Sequence, residues 1–208
     1  MKHDGEPLTA VSRETHRQLE IYARLLLQWN RTINLLSRRD EMELWPRHIA
    51  DSLNLIPLLP TDFEFGLDLG TGGGFPGLVL AIATRKHFHL VESDHRKAAF
   101  LREAARATGC NATVHATRIE DVAIEGAPLI TARALAPLSK LLEWATPKLA
   151  PDGICLFPKG RNHASELTAA ETQWQMGIES FPSTAAPGAV VLRIRDIQRV
   201  GPPTQPIH

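Results

Sequence analysis

The chain has 208 residues, 43% of them hydrophobic and 22% charged, enough for one globular core with a small appendage. Its 23 Lys and Arg balance its 23 Asp and Glu, which excludes a protein that grips nucleic acid through overall positive charge and leaves room only for a local basic face. The balance tips slightly positive in residues 131–208, which carry 8 basic and 6 acidic side chains.

In chain order, Ser12 is a candidate N-cap with Glu14 in the first turn. Leu19, Tyr22, Leu26, Trp29 and Ile33 then recur at helical spacing, which predicts one amphipathic helix. A second helix is predicted from about Asp40 to Leu55, with Trp45, Ile49, Leu53 and Ile56 on one stripe, until Pro57 and Pro60 close it. From Phe65 the rhythm changes to short apolar runs alternating with helical stretches, the signature of βαβ units and a parallel sheet. Residues 1–60 therefore read as a helical extension, 61–200 as the main α/β domain and 201–208, with Pro202, Pro203 and Pro206, as a frayed tail.

Strands are predicted at Gly66–Leu69, His87–Glu92, Ala112–His115, Leu129–Ala132 and Ile154–Phe157, with helices near Pro76–Thr84, His95–Thr108, Pro137–Leu149 and His163–Gln175. Ile178–Phe181 and Val190–Ile197 follow with no clear helix between them, as expected for an antiparallel hairpin at the sheet edge. Cys110 and Cys155 form no C-x-x-C pair, so a reducing cytoplasm fits better than a disulfide framework or a zinc site. No apolar window has the length of a membrane span or a signal peptide, so a soluble, unexported, cytoplasmic protein is expected. His87 and His89 alternate on a strand without further ligands, and no metal site is expected there.

The strongest local feature is Leu67-Asp68-Leu69-Gly70-Thr71-Gly72-Gly73-Gly74-Phe75-Pro76-Gly77, set between the first strand and a helix. Its glycines let backbone approach a ligand, and Glu92, 22 residues after Gly70 at the end of the second strand, is placed to accept hydrogen bonds from ribose hydroxyls. Gly72-x-Gly74-x-x-Gly77 matches the dinucleotide fingerprint and would fit a nicotinamide-dependent oxidoreductase. Asp68 favours a different ligand. A carboxylate beside the glycines suits the cationic amino group and sulfonium of S-adenosylmethionine better than a pyrophosphate, and Asp68-x-Gly70-x-Gly72-x-Gly74 resembles the first motif of class I S-adenosylmethionine-dependent methyltransferases. The two extra strands also suit their seven-stranded, mostly parallel Rossmann-like sheet.

The run Asp68-x-Gly70-Thr71-Gly72-x-Gly74-Phe75-Pro76-Gly77 is joined by Trp29-Asn30, Asn34-Leu35 and His48-Ile49-Ala50-Asp51-Ser52-Leu53 upstream. Downstream stand Val91-Glu92-Ser93, Arg96-Lys97, Phe100-Leu101, Arg118-Ile119-Glu120, Arg133-Ala134 and Lys159-Gly160. Together they resemble the RsmG/GidB family of small-subunit ribosomal RNA methyltransferases over roughly residues 20–200. The resemblance implies methyl transfer from S-adenosylmethionine to N7 of guanine 527 in 16S rRNA, within a small ribosomal subunit or its assembly intermediate. It also implies cofactor contacts at Gly70, Phe75, Ile119, Glu120 and Arg133, to which Asp68, Gly72 and Glu92 are added from the loop and strand-end positions.

Guanine N7 has a lone pair and no proton, so a direct SN2 displacement needs no general base, and no catalytic acid or base is expected. Arg133 closes the fourth strand at the ligand-binding edge, where it could orient the S-adenosylmethionine carboxylate, a phosphate or the guanine O6. Lys159, Arg161 and His163 at the same edge, with Arg38, Arg39, Arg47 and His48 from the helical part, form the candidate RNA surface. Solvated loops remain the alternative for Lys159 and for Arg38 and Arg39, and a structural His48–Asp51 pair for His48. A non-catalytic RNA assembly factor that retains S-adenosylmethionine binding is the further alternative.

Overall fold

The structure is a computed structural model that describes residues 11–183 and 186–200, so the expected tail over 201–208 lies outside the described residues. Helix α1 spans Arg13–Ile33, and Ser12 caps it by accepting from Thr15 N at 3.1 Å. Its Leu19, Tyr22 and Leu26 are wholly buried, as their spacing predicts. The next segment departs from expectation. In place of one helix from Asp40 to Leu55 there are α2 (Arg38–Met42), a π-helical turn (Leu44–Ala50), α3 (Asp51–Leu53) and a 3₁₀ turn (Ile56–Leu58). Pro46 is the physical reason. It brings no amide hydrogen to the i→i−4 ladder and its ring collides with the preceding turn, so the backbone widens around it.

Seven strands form one sheet in the order β3-β2-β1-β4-β5-β7-β6. They are β1 (Phe65–Leu69), β2 (His87–Val91), β3 (Ala112–His115), β4 (Ala127–Ala132), β5 (Leu149–Lys159), β6 (Trp174–Pro182) and β7 (Val190–Arg199). The first five are parallel, and β7 runs antiparallel between β5 and β6. This is the seven-stranded, mostly parallel Rossmann-like sheet that the sequence predicts. Helices α4 (Gly77–Thr84), α5 (His95–Thr108), α6 (Leu138–Ala145) and α7 (His163–Glu171) cover it. Both later helices end sooner than their sequences predict. A 3₁₀ turn follows α6 at Thr146–Lys148, and Trp174 is drawn into β6, whose register begins at Trp174 opposite Arg199.

Two apolar clusters pack the two faces of the sheet. Phe88, Leu90, Leu129 and Leu156 meet α4, α5 and the stripe of α1, so the helical extension shares a core with the sheet. Leu67, Leu69, Ile130 and Phe157 meet Leu138, Leu141 and Leu142 of α6. Among the described residues no helix is long and apolar enough to cross a membrane, and no group of three His, Cys, Asp or Glu could hold a metal ion.

Candidate active site

The strand order reverses between β1 and β4, and outside their carboxyl ends opens a cleft of about 1120 Å³. One wall is the glycine loop. Thr71 N donates to Val91 O at 3.1 Å, and Gly72 N donates to Glu92 Oε2 at 3.0 Å. At Gly72 (φ +55) an added Cβ would meet nothing nearer than Gly70 O at 3.9 Å, so bare backbone faces the cleft. Gly77 serves another purpose. A Cβ there would fall 2.5 Å from Asp68 Cβ, so only glycine lets α4 start directly over β1.

Asp68 is completely buried behind this loop and does not line the cleft. Its Oδ1 accepts from Thr131 Oγ1 at 2.6 Å and its Oδ2 from Gly77 N at 3.1 Å. Burial raises its carboxyl to about 6 against the opposing pull of hydrogen bonds from Thr131, Thr71 and Gly77. The expected direct contact between Asp68 and a ligand is therefore corrected, because both oxygens are spent holding the loop on the sheet. Glu92 is the carboxylate at the cleft. It is 8% exposed, with Oε1 accepting from Asp94 N at 2.8 Å and Oε2 from Gly72 N.

Gly70, Gly72, Phe75, Glu92, Ile119, Glu120 and Arg133 all line the cleft. Phe75 lies edge-on to Tyr22, whose hydroxyl donates to Gly73 O at 2.5 Å, and tilts against the His48 ring with centroids 5.0 Å apart. Ile119 and Glu120 sit in the helix-free connection between β3 and β4, where Trp144 Nε1 donates to Glu120 Oε1 at 2.9 Å.

The opposite wall comes from the helical extension, through Asn30, Asn34, Ser37, Arg38, Asp40 and His48. Arg133 ties it to the sheet. Its Nη2 donates to Arg47 O at 2.7 Å, and its Nη1 lies 3.6 Å from Asp51 Oδ2 without a hydrogen bond. Asp51, 2% exposed, also accepts from Ser183 Oγ at 2.7 Å. The expected His48–Asp51 pair is thus corrected. His48 Nε2 faces Asp40 at 3.3 Å, because the π-helical turn between them carries the two side chains off a shared helical face. Burial, and next the Arg133 charge, hold the His48 imidazole below its usual range, so it is neutral near pH 7.

The expected RNA surface is redistributed. Lys159 is corrected to a structural role, since its Nζ donates to Ala136 O at 3.0 Å and meets Glu166 Oε2 at 2.5 Å with its side chain 8% exposed. Arg47 is corrected likewise, held by Glu43 at 3.3 Å and Asp40 at 3.4 Å. Arg39 pairs loosely with Glu43 at 3.9 Å, and Arg161 is exposed but outside the cleft. Of the expected cations Arg38 and Arg133 line the cleft, as does His48. Three more basic residues line it, Arg31, Lys97 and Arg118, with no ion-pair partner among the described residues. Lys97 and Arg118 stand inside the family-like segments, which was the available signal. Arg31, in the last turn of α1, carried none.

The site fits S-adenosylmethionine better than a dinucleotide. Open backbone at Gly72, the Glu92 carboxylate and a buried guanidinium nitrogen without a hydrogen bond match an amino-acid head joined to a ribose. A pyrophosphate would need free amides at the start of α4, where Gly77 N is committed to Asp68 and Pro76 has none. A family model described as GidB, rRNA small subunit methyltransferase G, matches residues 15–187. The chain is 53% identical over 193 residues to ribosomal RNA small subunit methyltransferase G of Gluconobacter oxydans, covering 93% of this chain and 100% of that one. It is 54% identical to the protein of the same name from Granulibacter bethesdensis, covering 92% and 90%. Among solved structures, a ribosomal protein L11 methylase from Lactobacillus delbrueckii superposes with TM-score 0.56 at 20% identity, covering 70% of this chain and 76% of that one. A SAM-dependent methyltransferase from Aquifex aeolicus gives 0.59 at 12%, covering 76% and 94%.

Proposed function

From the premise that the chain belongs to the GidB family of rRNA small subunit methyltransferases, which depend on S-adenosylmethionine, we propose that it methylates N7 of guanine 527 in 16S rRNA, in the cytoplasm and within a small subunit or its assembly intermediate. The observation that carries this reading is the cleft at the strand-order reversal, with a glycine loop whose backbone is open at Gly72 and braced by Asp68 and Glu92.

When bound, S-adenosylmethionine supplies a methyl group activated on a sulfonium. Arg133 would hold the carboxylate of its amino-acid end beside Gly70 and Gly72, and Glu92 would accept from the ribose with the lone pairs left by its two amide bonds. Phe75, packed on Tyr22 and His48, closes the apolar side near the reacting centre. Guanine N7 brings a lone pair and no proton, so no side chain has to remove one. The work of the protein is alignment, which for well-oriented partners contributes up to about 7–11 kcal/mol. Arg31, Arg38, Lys97 and Arg118 around the cleft take the flanking RNA phosphates.

The test is incubation with tritiated S-adenosylmethionine and small subunits, or their RNA, from a strain lacking the protein, followed by mapping of the label. Label at N7 of one guanine is expected. No label there with any assembly state, alongside RNA and cofactor binding, would convert the protein into a non-catalytic assembly factor.

A further inference from the structure

We infer that Trp144 is a positioning residue for the adenine of the cofactor, acting through Glu120; the inference rests on the reading of the cleft as an S-adenosylmethionine site. Helix α6 turns Leu138, Leu141, Leu142 and Ala145 fully into the core. Trp144 stands apart from that stripe, half-buried, with its indole at the cleft. Its Nε1–H crosses 24 residues of sequence to donate to Glu120 Oε1 at 2.9 Å. The indole is itself held in place, since Lys140 one turn earlier lies 5.1 Å from the ring centroid and is anchored on Glu143 at 3.1 Å.

The chemistry of the pair determines what it can read. An indole is a donor only, so it cannot flip or compete for a ligand donor as an amide would. By occupying Oε1 it fixes the plane of the carboxylate. Glu120 Oε2 then remains as an acceptor, with no protein donor among the described residues. An acceptor held beside Ile119 calls for a donor on the ligand, and the adenine N6 amino group is one. Hypoxanthine carries a carbonyl oxygen at that position, which the carboxylate repels. Trp144 therefore contributes to discrimination between bases as well as to affinity.

The experiment is calorimetric titration of the full chain with S-adenosylhomocysteine and with S-inosylhomocysteine, which differ in the 6-substituent and, with it, in a proton at N1. The wild type is expected to prefer the adenosyl compound by about tenfold, the equivalent of one charge-assisted hydrogen bond. Trp144→Phe keeps an aromatic ring but removes the donor. It should weaken the adenosyl compound severalfold and leave the inosyl compound nearly unchanged, so the ratio falls. Glu120→Gln, at an exposed position, should bring the ratio to one or below, because its amide oxygen takes the indole N–H and its NH2 then meets the base as a donor. Equal weakening of both compounds by Trp144→Phe, or an unchanged ratio in Glu120→Gln, would overturn the inference while leaving the cofactor site standing. A wild type that binds neither compound would overturn the site itself.

Discussion

The loop wall and the helical wall of the cleft are tied down over different distances along the chain. Gly77 N reaches Asp68 across 9 residues, and Gly72 N reaches Glu92 across 20. Both are backbone amides meeting a carboxylate on the same or the neighbouring strand. The helical wall depends on side chains that meet across 86 residues, from Arg133 to Arg47 O, and across 132, from Ser183 to Asp51. The first wall follows from a short motif. The second exists only when the sheet, the π-helical turn and the segment before β7 are all in place, so the two should respond differently to substitution.

The largest expected effect is on the helical wall. Arg133→Ala leaves Asp51, 2% exposed, without its cationic neighbour, and should cost about 3–5 kcal/mol in urea unfolding as well as methyl transfer. Adding Asp51→Asn should return part of the stability but none of the activity. If the single variant is as stable as the wild type, the two walls are not distinct in this way.

On the loop wall the effect is tied to pH. The Asp68 carboxyl titrates at about 6 in the fold, above its value of 3.8 when free, so the folded state binds the extra proton between these values. Stability from this group is therefore present below pH 4 and lost as the pH rises to 6, by up to about 3 kcal/mol. Asp68→Asn should flatten that part of a stability profile, and an unchanged slope would contradict the assignment. Gly77→Ala forces a Cβ to within 2.5 Å of Asp68 Cβ and should lower stability by about 2–3 kcal/mol at every pH. A thermal scan of the variant beside the wild type checks it.

The smallest stability changes belong to the cations. Arg38→Ala and Arg118→Ala should move unfolding by less than about 0.5 kcal/mol, yet each should lower the salt slope of RNA binding by about 1. Lys159→Ala should do the reverse, destabilising by about 1–2 kcal/mol with RNA affinity unchanged, because its charge is already paired with Glu166. A Lys159 variant that loses RNA affinity while keeping its stability would return that residue to the RNA surface.

Features with a local cause are legible in the sequence, and those with a distant cause are not. The seven strands, the antiparallel terminal pair and the Ser12 cap follow from periodicity and turn chemistry, and the cleft-lining residues Gly70, Phe75, Ile119, Glu120 and Arg133 from the family resemblance. The helix expected over Asp40–Leu55 failed on Pro46, a signal that was present and outweighed by the apolar stripe. The burial of Asp68 behind the loop is not legible, because a motif gives the position of a residue but not the direction of its side chain. Lys159 appeared free because Glu166 lies in the following helix, and only the packing of α7 brings the two together. The role of Trp144, one aromatic among leucines of α6, is not legible, since its partner Glu120 sits in a connection without periodic pattern.

Strand β7 is the last described strand, yet it lies inside the sheet, bonded to β5 on one side and β6 on the other. In synthesis, the ten residues Val190–Arg199 therefore act as a keystone that arrives after both of its neighbours. Until they emerge from the ribosome, a nascent chain exposes the edges of both β5 and β6, and unpaired edges are templates for joining other chains. A chain truncated before Val190 should therefore aggregate even though every cofactor-lining residue has already been made.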